Sequence, residues 1–168
     1  MRTTRWLDDD EQRTWRVFLA ATRLVQESLD RQLQRDAGMP HAYYEILVRL
    51  SEAPGRALRM SELAARAHSS QSRLSHAVAR LEERGWVRRE RCPADGRGNL
   101  AVLTAEGHAA LAAAAPGHVE EVRRSLFDVL KPDQVEALEE ICAAVLSVPG
   151  GPGGDTLPGS EKSVGRRP

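Results

Sequence analysis

The sequence predicts a mostly α-helical chain with one small β-hairpin, an α+β fold, and three observations carry that reading. Apolar residues recur at helical spacing through most of residues 10–146. The period drops toward two only between Trp86 and Leu103. Gly or Pro punctuates the pattern at Gly38, Pro40, Pro54, Gly55, Gly85, Pro93, Gly96 and Gly98.

The elements follow in order. From Asp10, the residues Trp15, Phe18, Val25, Leu29 and Leu33 define a first helix of about seven turns, stopped by Gly38 and Pro40. A second helix runs from His41 through Tyr43, Ile46, Leu47 and Leu50 to Ala53, closed by Pro54-Gly55. A short third helix takes Ser61 as its N-cap and turns Leu63, Ala64 and Ala67 inward. The fourth starts near Ser70, sets Leu74, Ala77, Val78 and Leu81 on one face, and ends at Gly85. Two strands, 86–91 and 99–103, then flank the turn-rich stretch Pro93-Ala94-Asp95-Gly96-Arg97-Gly98. After Thr104 a helix runs through Leu111 toward Val122, Leu126 and Leu130, with a kink or local break expected at Pro116-Gly117. The last helix opens on Pro132 and uses Val135, Leu138, Ile141, Val145 and Leu146.

Composition bounds the function. The chain has 168 residues, of which 41% are hydrophobic and 29% charged, which describes one ordinary globular domain. Residues 149–168 hold ten Gly or Pro and are expected to be a disordered tail. No apolar run reaches the roughly 18 residues of a membrane span, and MRTTRWLDDDEQ has no secretory apolar stretch, so a cytoplasmic protein with no membrane partner is expected. Cys92 and Cys142 are too few for a disulfide framework. The five histidines show neither an H-E-x-x-H arrangement nor a close His/Cys pairing, and Gly96-Arg97-Gly98 lacks the rest of a dinucleotide fingerprint. No catalytic residue, metal or cofactor is therefore assigned.

Net charge is zero, yet the charges are segregated along the chain: residues 56–103 carry ten basic and five acidic groups, residues 104–148 three and eight. All ten basic residues of the middle block are Arg, whose planar fork matches phosphate and guanine edges. The outer face of the fourth helix holds Ser70, Gln71, Ser72, Arg73, Ser75, His76 and Arg80, and its acids, Glu82 and Glu83, come only at the C-terminal end. Hydrogen-bonding residues in place of a Glu/Lys mixture suit the reading of base edges in a major groove. Arg97 between two glycines can approach a narrow minor groove closely, with Asp95 orienting it through a charge-assisted bond; the bland reading is an ordinary surface turn.

A short helix, turn, polar-faced helix and hairpin bracketed by helical regions is the winged helix-turn-helix plan. The run MSELAARAHSSQSRLSHAVARLEERGWVRRERCPADGRGNLAVLTAEG resembles the DNA-binding lobe of the MarR family of bacterial transcription regulators. The resemblance lies in L-A before the turn, L-E-E-R-G after the recognition helix, D-x-R in the wing and L-T-x-x-G leading into the next helix. It implies a homodimer formed by the N-terminal helix (1–37) and C-terminal helices (105–148), flanking a DNA-binding lobe (38–104). It further implies a repressor that binds a near-palindromic operator on double-stranded DNA. On that model Ser70, Gln71, Ser72, Arg73, Ser75 and His76 face bases or phosphates, Arg80 and Arg89 support the backbone contact, Arg97 enters the minor groove and Asp95 orients it. Ala79 stands where many relatives carry Asp, and His68 where they often carry Gly.

The apolar stripe Trp15, Phe18 and Val25, with Leu126, Val135, Leu138 and Ile141, independently offers surface for a partner chain. The resemblance also implies a small aromatic or anionic effector, for which Trp15, Arg16, Tyr43 and Tyr44 are candidate contacts; the alternative is that these aromatics are core. Cys92, beside Arg91, is a candidate redox-sensing thiol. A winged helix used to bind protein remains the alternative to DNA recognition, and it would place an apolar or acidic surface on the fourth helix.

Overall fold

The computed structural model describes residues 3–92 and 98–148. It contains α1 (Asp9–Ala37), α2 (His41–Glu52), β1 (Ala57–Arg59), α3 (Met60–Arg66), α4 (Gln71–Glu83), β2 (Val87–Arg91), β3 (Asn99–Leu103), α5 (Ala105–Ser125) and α6 (Pro132–Leu146). The mostly helical fold with a small β-hairpin is as the periodicity predicts. The expected tail and the wing turn with Asp95 and Arg97 lie outside the described residues.

Helix α1 spans 29 residues, one turn longer than expected. It begins with a capping box, in which Asp8 Oδ1 accepts the Glu11 N–H at 2.8 Å and Glu11 Oε2 accepts the Asp8 N–H at 3.0 Å. It ends at Gly38, whose φ of 61° is the left-handed geometry that glycine adopts without strain.

Four expectations need correction. The sheet has three strands, ordered β1–β3–β2 and antiparallel throughout, with Leu58 opposite Ala101. The missed strand β1 is only three residues long and buries one side chain, Leu58, so it has no alternation to detect. The N-cap of α3 is Arg59, not Ser61, and makes no side-chain cap. Pro116 does not break α5, which runs unbroken from Ala105 to Ser125. Pro116 is exposed, so the Ala112 carbonyl it leaves without an amide can take water, and Gly117 lies tight against Gln32 of α1. The helix ends at Ser125, capped by Leu126 and short of Leu130, and a 3-10 turn follows at Phe127–Val129.

One core unites the elements around the sheet. Leu47 and Leu50 of α2, Leu63 of α3, Leu74, Val78 and Leu81 of α4, and Val87 of β2 are fully buried, joined by Leu33 from the end of α1. Helix α6 contributes nothing to it, since none of its residues is buried. Of the proposed partner-facing stripe, Trp15, Phe18 and Ile141 are exposed, while Val25, Leu126, Val135 and Leu138 are half-buried. No helix among the described residues is long and apolar enough to cross a membrane.

Candidate nucleic-acid interface

Helix α4 presents two chemically distinct faces. Leu74, Val78 and Leu81, at helical spacing, are buried, and this fixes the helix's rotation about its axis. The same rotation turns Gln71, Ser72, Arg73, Ser75, His76 and Arg80 to solvent. Ser70 is the N-cap, its Oγ accepting the Arg73 N–H at 3.3 Å. In the turn before it, His68 has φ 45°, the left-handed region where glycine is favoured. Arg80 pairs with Glu83 at 2.8 Å, both exposed, so this pair is solvent-screened. Of the ten residues assigned to DNA, seven therefore share α4 and its cap.

Arg89 behaves differently from the rest. Its backbone N–H donates to Glu82 Oε1 at 3.0 Å, and its Nη2 donates to the Ser75 carbonyl at 2.8 Å. Its guanidinium thus reaches back onto α4. On the other side of β2, Arg88 pairs with Glu90 at 2.6 Å. Cys92 closes the described hairpin through its N–H, which donates to the Gly98 carbonyl at 2.8 Å, and the residue is buried. A redox sensor needs an accessible thiol, and that position does not provide one.

The L-T-x-x-G sequence joins the end of α4 to the start of α5. Thr104 Oγ1 donates to the Gly85 carbonyl at 2.7 Å and accepts the Gly107 N–H at 2.9 Å, while the Thr104 N–H donates to the Trp86 carbonyl at 3.1 Å. Position 107 must be glycine, because a Cβ there would lie 2.0 Å from the Trp86 carbonyl oxygen. Arg84 stacks over Trp86 at 4.9 Å and donates to the Gly38 carbonyl at 2.9 Å, adding a tie to the end of α1. Neither the Thr104 bond to Gly85 nor the Arg84 bond to Gly38 leaves a mark in the sequence pattern, because each joins residues distant along the chain.

The four candidate effector contacts are not brought together. Trp15 is exposed and stacks on Phe18, ring centroids 6.0 Å apart. Arg16 bonds to Gln12 and lines a shallow groove with Asp9, Gln12, Arg13 and Val17, all on α1. Tyr43 is half-buried against the central core. Tyr44 is buried against His118, with centroids 4.3 Å apart, and lines a separate cavity of about 210 Å³ between α2 and α5. His41, Arg49 and His118, which the sequence did not single out, share that cavity. Burial and the nearby His41 lower the pKa of His118, and its Nδ1 and the Arg49 Nε are buried without hydrogen-bond partners. No cluster of three or more metal-ligating side chains occurs among the described residues.

Known proteins agree with this geometry. The MarR family profile matches residues 37–98. Sco3205, a MarR family transcriptional regulator from Streptomyces coelicolor whose structure was solved in complex with DNA, is 56% identical. That likeness covers 86% of this chain and 91% of Sco3205, with a TM-score of 0.83. AbsC, a MarR family regulator from the same organism, is 44% identical over 84% of this chain and 95% of its own, with a TM-score of 0.80. The transcriptional regulator HosA of Escherichia coli is 34% identical over 101 residues, 60% of this chain and 73% of HosA. The polar-faced helix, its antiparallel wing strands, the L-T-x-x-G joint and these likenesses lead to one conclusion: the chain belongs to the MarR family of winged helix-turn-helix transcriptional regulators, which are not enzymes.

Proposed function

We propose that the protein is a repressor that binds a near-palindromic operator as a homodimer. The observation that carries this reading is the exposed face of α4, where six side chains able to meet bases or phosphates stand together on a helix held by a buried apolar back. The DNA-bound structure of Sco3205 supports it. Residues 38–104 form the DNA-binding part, and 1–37 and 105–148 the dimer helices. Gln71, Ser72, Arg73, Ser75 and His76 read or approach the major groove, and Arg80 stands beside the backbone.

Selection of duplexes from a random pool tests the reading. A palindrome with half-sites about one helical turn, roughly 10 base pairs, apart is the expected product. No enrichment at moderate salt would leave α4 without a DNA role and favour a protein partner. Within the selected site, Arg73→Ala should relax base choice at one position per half-site, costing about 1–3 kcal/mol of discrimination.

Release by a small anionic effector is the second part of the proposal. The cavity beside Tyr44 favours it, because Arg49 and His118 place unpaired polar nitrogens between α2 of the DNA-binding part and α5 of the dimer part. Benzoate titrated into the protein–operator complex should lower affinity in the wild type and not in Arg49→Gln.

A further inference from the structure

We infer that Arg89 is a positioning residue, which locks the β2–β3 hairpin onto the recognition helix through Glu82, and that it is not a contact to the DNA backbone. The inference rests on the DNA-binding reading above and reassigns one of its residues.

Three contacts tie Arg89 to α4. Its N–H donates to Glu82 Oε1 at 3.0 Å, its Nη2 donates to the Ser75 carbonyl at 2.8 Å, and its Nε, buried without a hydrogen bond, stands in ion-pair range of Glu82 Oε2 at 3.3 Å. Ser75 and Glu82 stand two helical turns, about 10 Å, apart along α4, so the side chain lies lengthwise on the helix. The β1–β3 pairing and the buried Val87, Ala101 and Leu103 hold the base of the hairpin, and the two anchor levels on Arg89 add to them in fixing its angle to α4.

Burial separates this pair from its neighbours. The side chains of Arg89 and Glu82 are 29% and 31% exposed, whereas those of Arg80 and Glu83 are 66% and 60% exposed. An exposed pair is weakened by water and salt, and a shielded one holds its geometry. Glu82 also explains itself here: a carboxylate near a polyanion is unfavourable unless it is engaged by a cation. Arg89 lies opposite Ala101 on β3, so holding Arg89 holds both strands and the direction in which the wing leaves the helix. Arg89 also lines a groove of about 220 Å³ with Met60, Ser61, Gln71, Ser75 and Asn99.

The two roles predict opposite signs for one variant. Glu82→Gln removes a negative charge near DNA and frees the Arg89 guanidinium, while its amide oxygen can still accept the Arg89 N–H. If Arg89 positions the wing, affinity for the selected operator falls about tenfold; Arg89→Gln and the double variant fall no further, and the slope of affinity against salt stays as in the wild type. Arg89→Lys then behaves like Arg89→Gln, because an ammonium cannot reproduce the fork. If Arg89 binds phosphate, Glu82→Gln binds as tightly as the wild type or tighter, Arg89→Gln loses about one charge of salt slope, and Arg89→Lys is nearly normal. Those outcomes would overturn the inference. Amide hydrogen exchange along β2 and β3 reads the lock without DNA: faster exchange in Glu82→Gln at unchanged helical content supports it, and unchanged exchange overturns it. A wild type that selects no duplex would instead bring down the DNA-binding reading, with the exchange result still deciding the lock.

Discussion

The central lobe and the helices that flank it use similar apolar residues and close their surfaces in different ways. Between Pro40 and Leu103, Leu47, Leu50, Leu63, Leu74, Val78 and Leu81 bury one another within the protomer. In the flanking helices, Trp15, Val17, Phe18 and Leu24 of α1 and Ile141, Val145 and Leu146 of α6 stay exposed, Ile141 at 59%. An apolar face this extended is incomplete as a single chain and is matched by the homodimer proposed above. The lobe carries its own core, while the flanks leave these apolar side chains open to solvent within the protomer. Within the protomer α1 and α5 bury Leu33, Leu111 and Ala114 in the core and add a polar tie, in which Ser28 of α1 donates to the buried carboxylate of Glu121 on α5.

The largest effect is expected where the two regions join. Gly107→Ala forces a methyl group onto the Trp86 carbonyl, a backbone atom that cannot step aside, and should cost about 3 kcal/mol in urea unfolding. Thr104→Val removes the two hydroxyl bonds and keeps the volume, so it should cost less, about 1–2 kcal/mol. Equal, small losses in both would mean that the joint is slack and that the regions are not mechanically coupled.

The contrast itself is tested on α6. Ile141→Glu adds a charge to a side chain that is exposed in the protomer, so it should leave the lobe's folding intact. If α6 completes its core with a second chain, the same change weakens dimerisation by about 2 kcal/mol, close to thirtyfold in sedimentation equilibrium. An unaltered dimer would place the interface elsewhere.

Acid should act on the polar tie between the flanks. Hydrogen bonds from Arg124, then from Ser28, hold the Glu121 carboxyl at about 2, down from an ordinary 4.5. A carboxyl depressed in the folded state stabilises it fully above the unfolded value. That contribution is lost as pH falls from about 4.5 toward 2. Glu121→Gln should therefore be less stable than the wild type at neutral pH and converge with it in acid, read from melting temperatures across that range. Parallel curves would show that the carboxylate is not what ties α1 to α5.

The same contrast governs what could be read from the sequence. The α4 pattern was legible because helical spacing sorts its residues cleanly, with Leu74, Val78 and Leu81 inside and Arg73 and His76 outside. Strand β1 was not, since three residues with one buried side chain have no period. Nor was the continuity of α5 through Pro116, where a break was expected, because composition does not say that Gly117 lies against Gln32 of α1. Arg89 looked like another groove-facing arginine; only the contacts to Glu82 and Ser75, distant in sequence, distinguish it from Arg80. Periodicity sees faces of single elements, and the continuity of α5 and the role of Arg89 rest on contacts between elements.

The smallest effect concerns Ser70, which belongs to both the lobe's stability and the proposed interface. Its Oγ accepts the Arg73 N–H, so Ser70→Ala should cost about 1 kcal/mol of stability and some DNA affinity with it, leaving the two roles mixed. Ser70→Asp separates them. Aspartate caps as well as serine and favours the positive end of the α4 dipole, so stability should hold. If the helix start faces phosphate, however, the new carboxylate repels it, and operator affinity should fall several-fold, more at low salt than at high. Loss of affinity at constant melting temperature would place the N-terminus of α4 against the DNA. Constant affinity would leave Ser70 a cap alone and move base reading further along the helix, to Arg73 and His76.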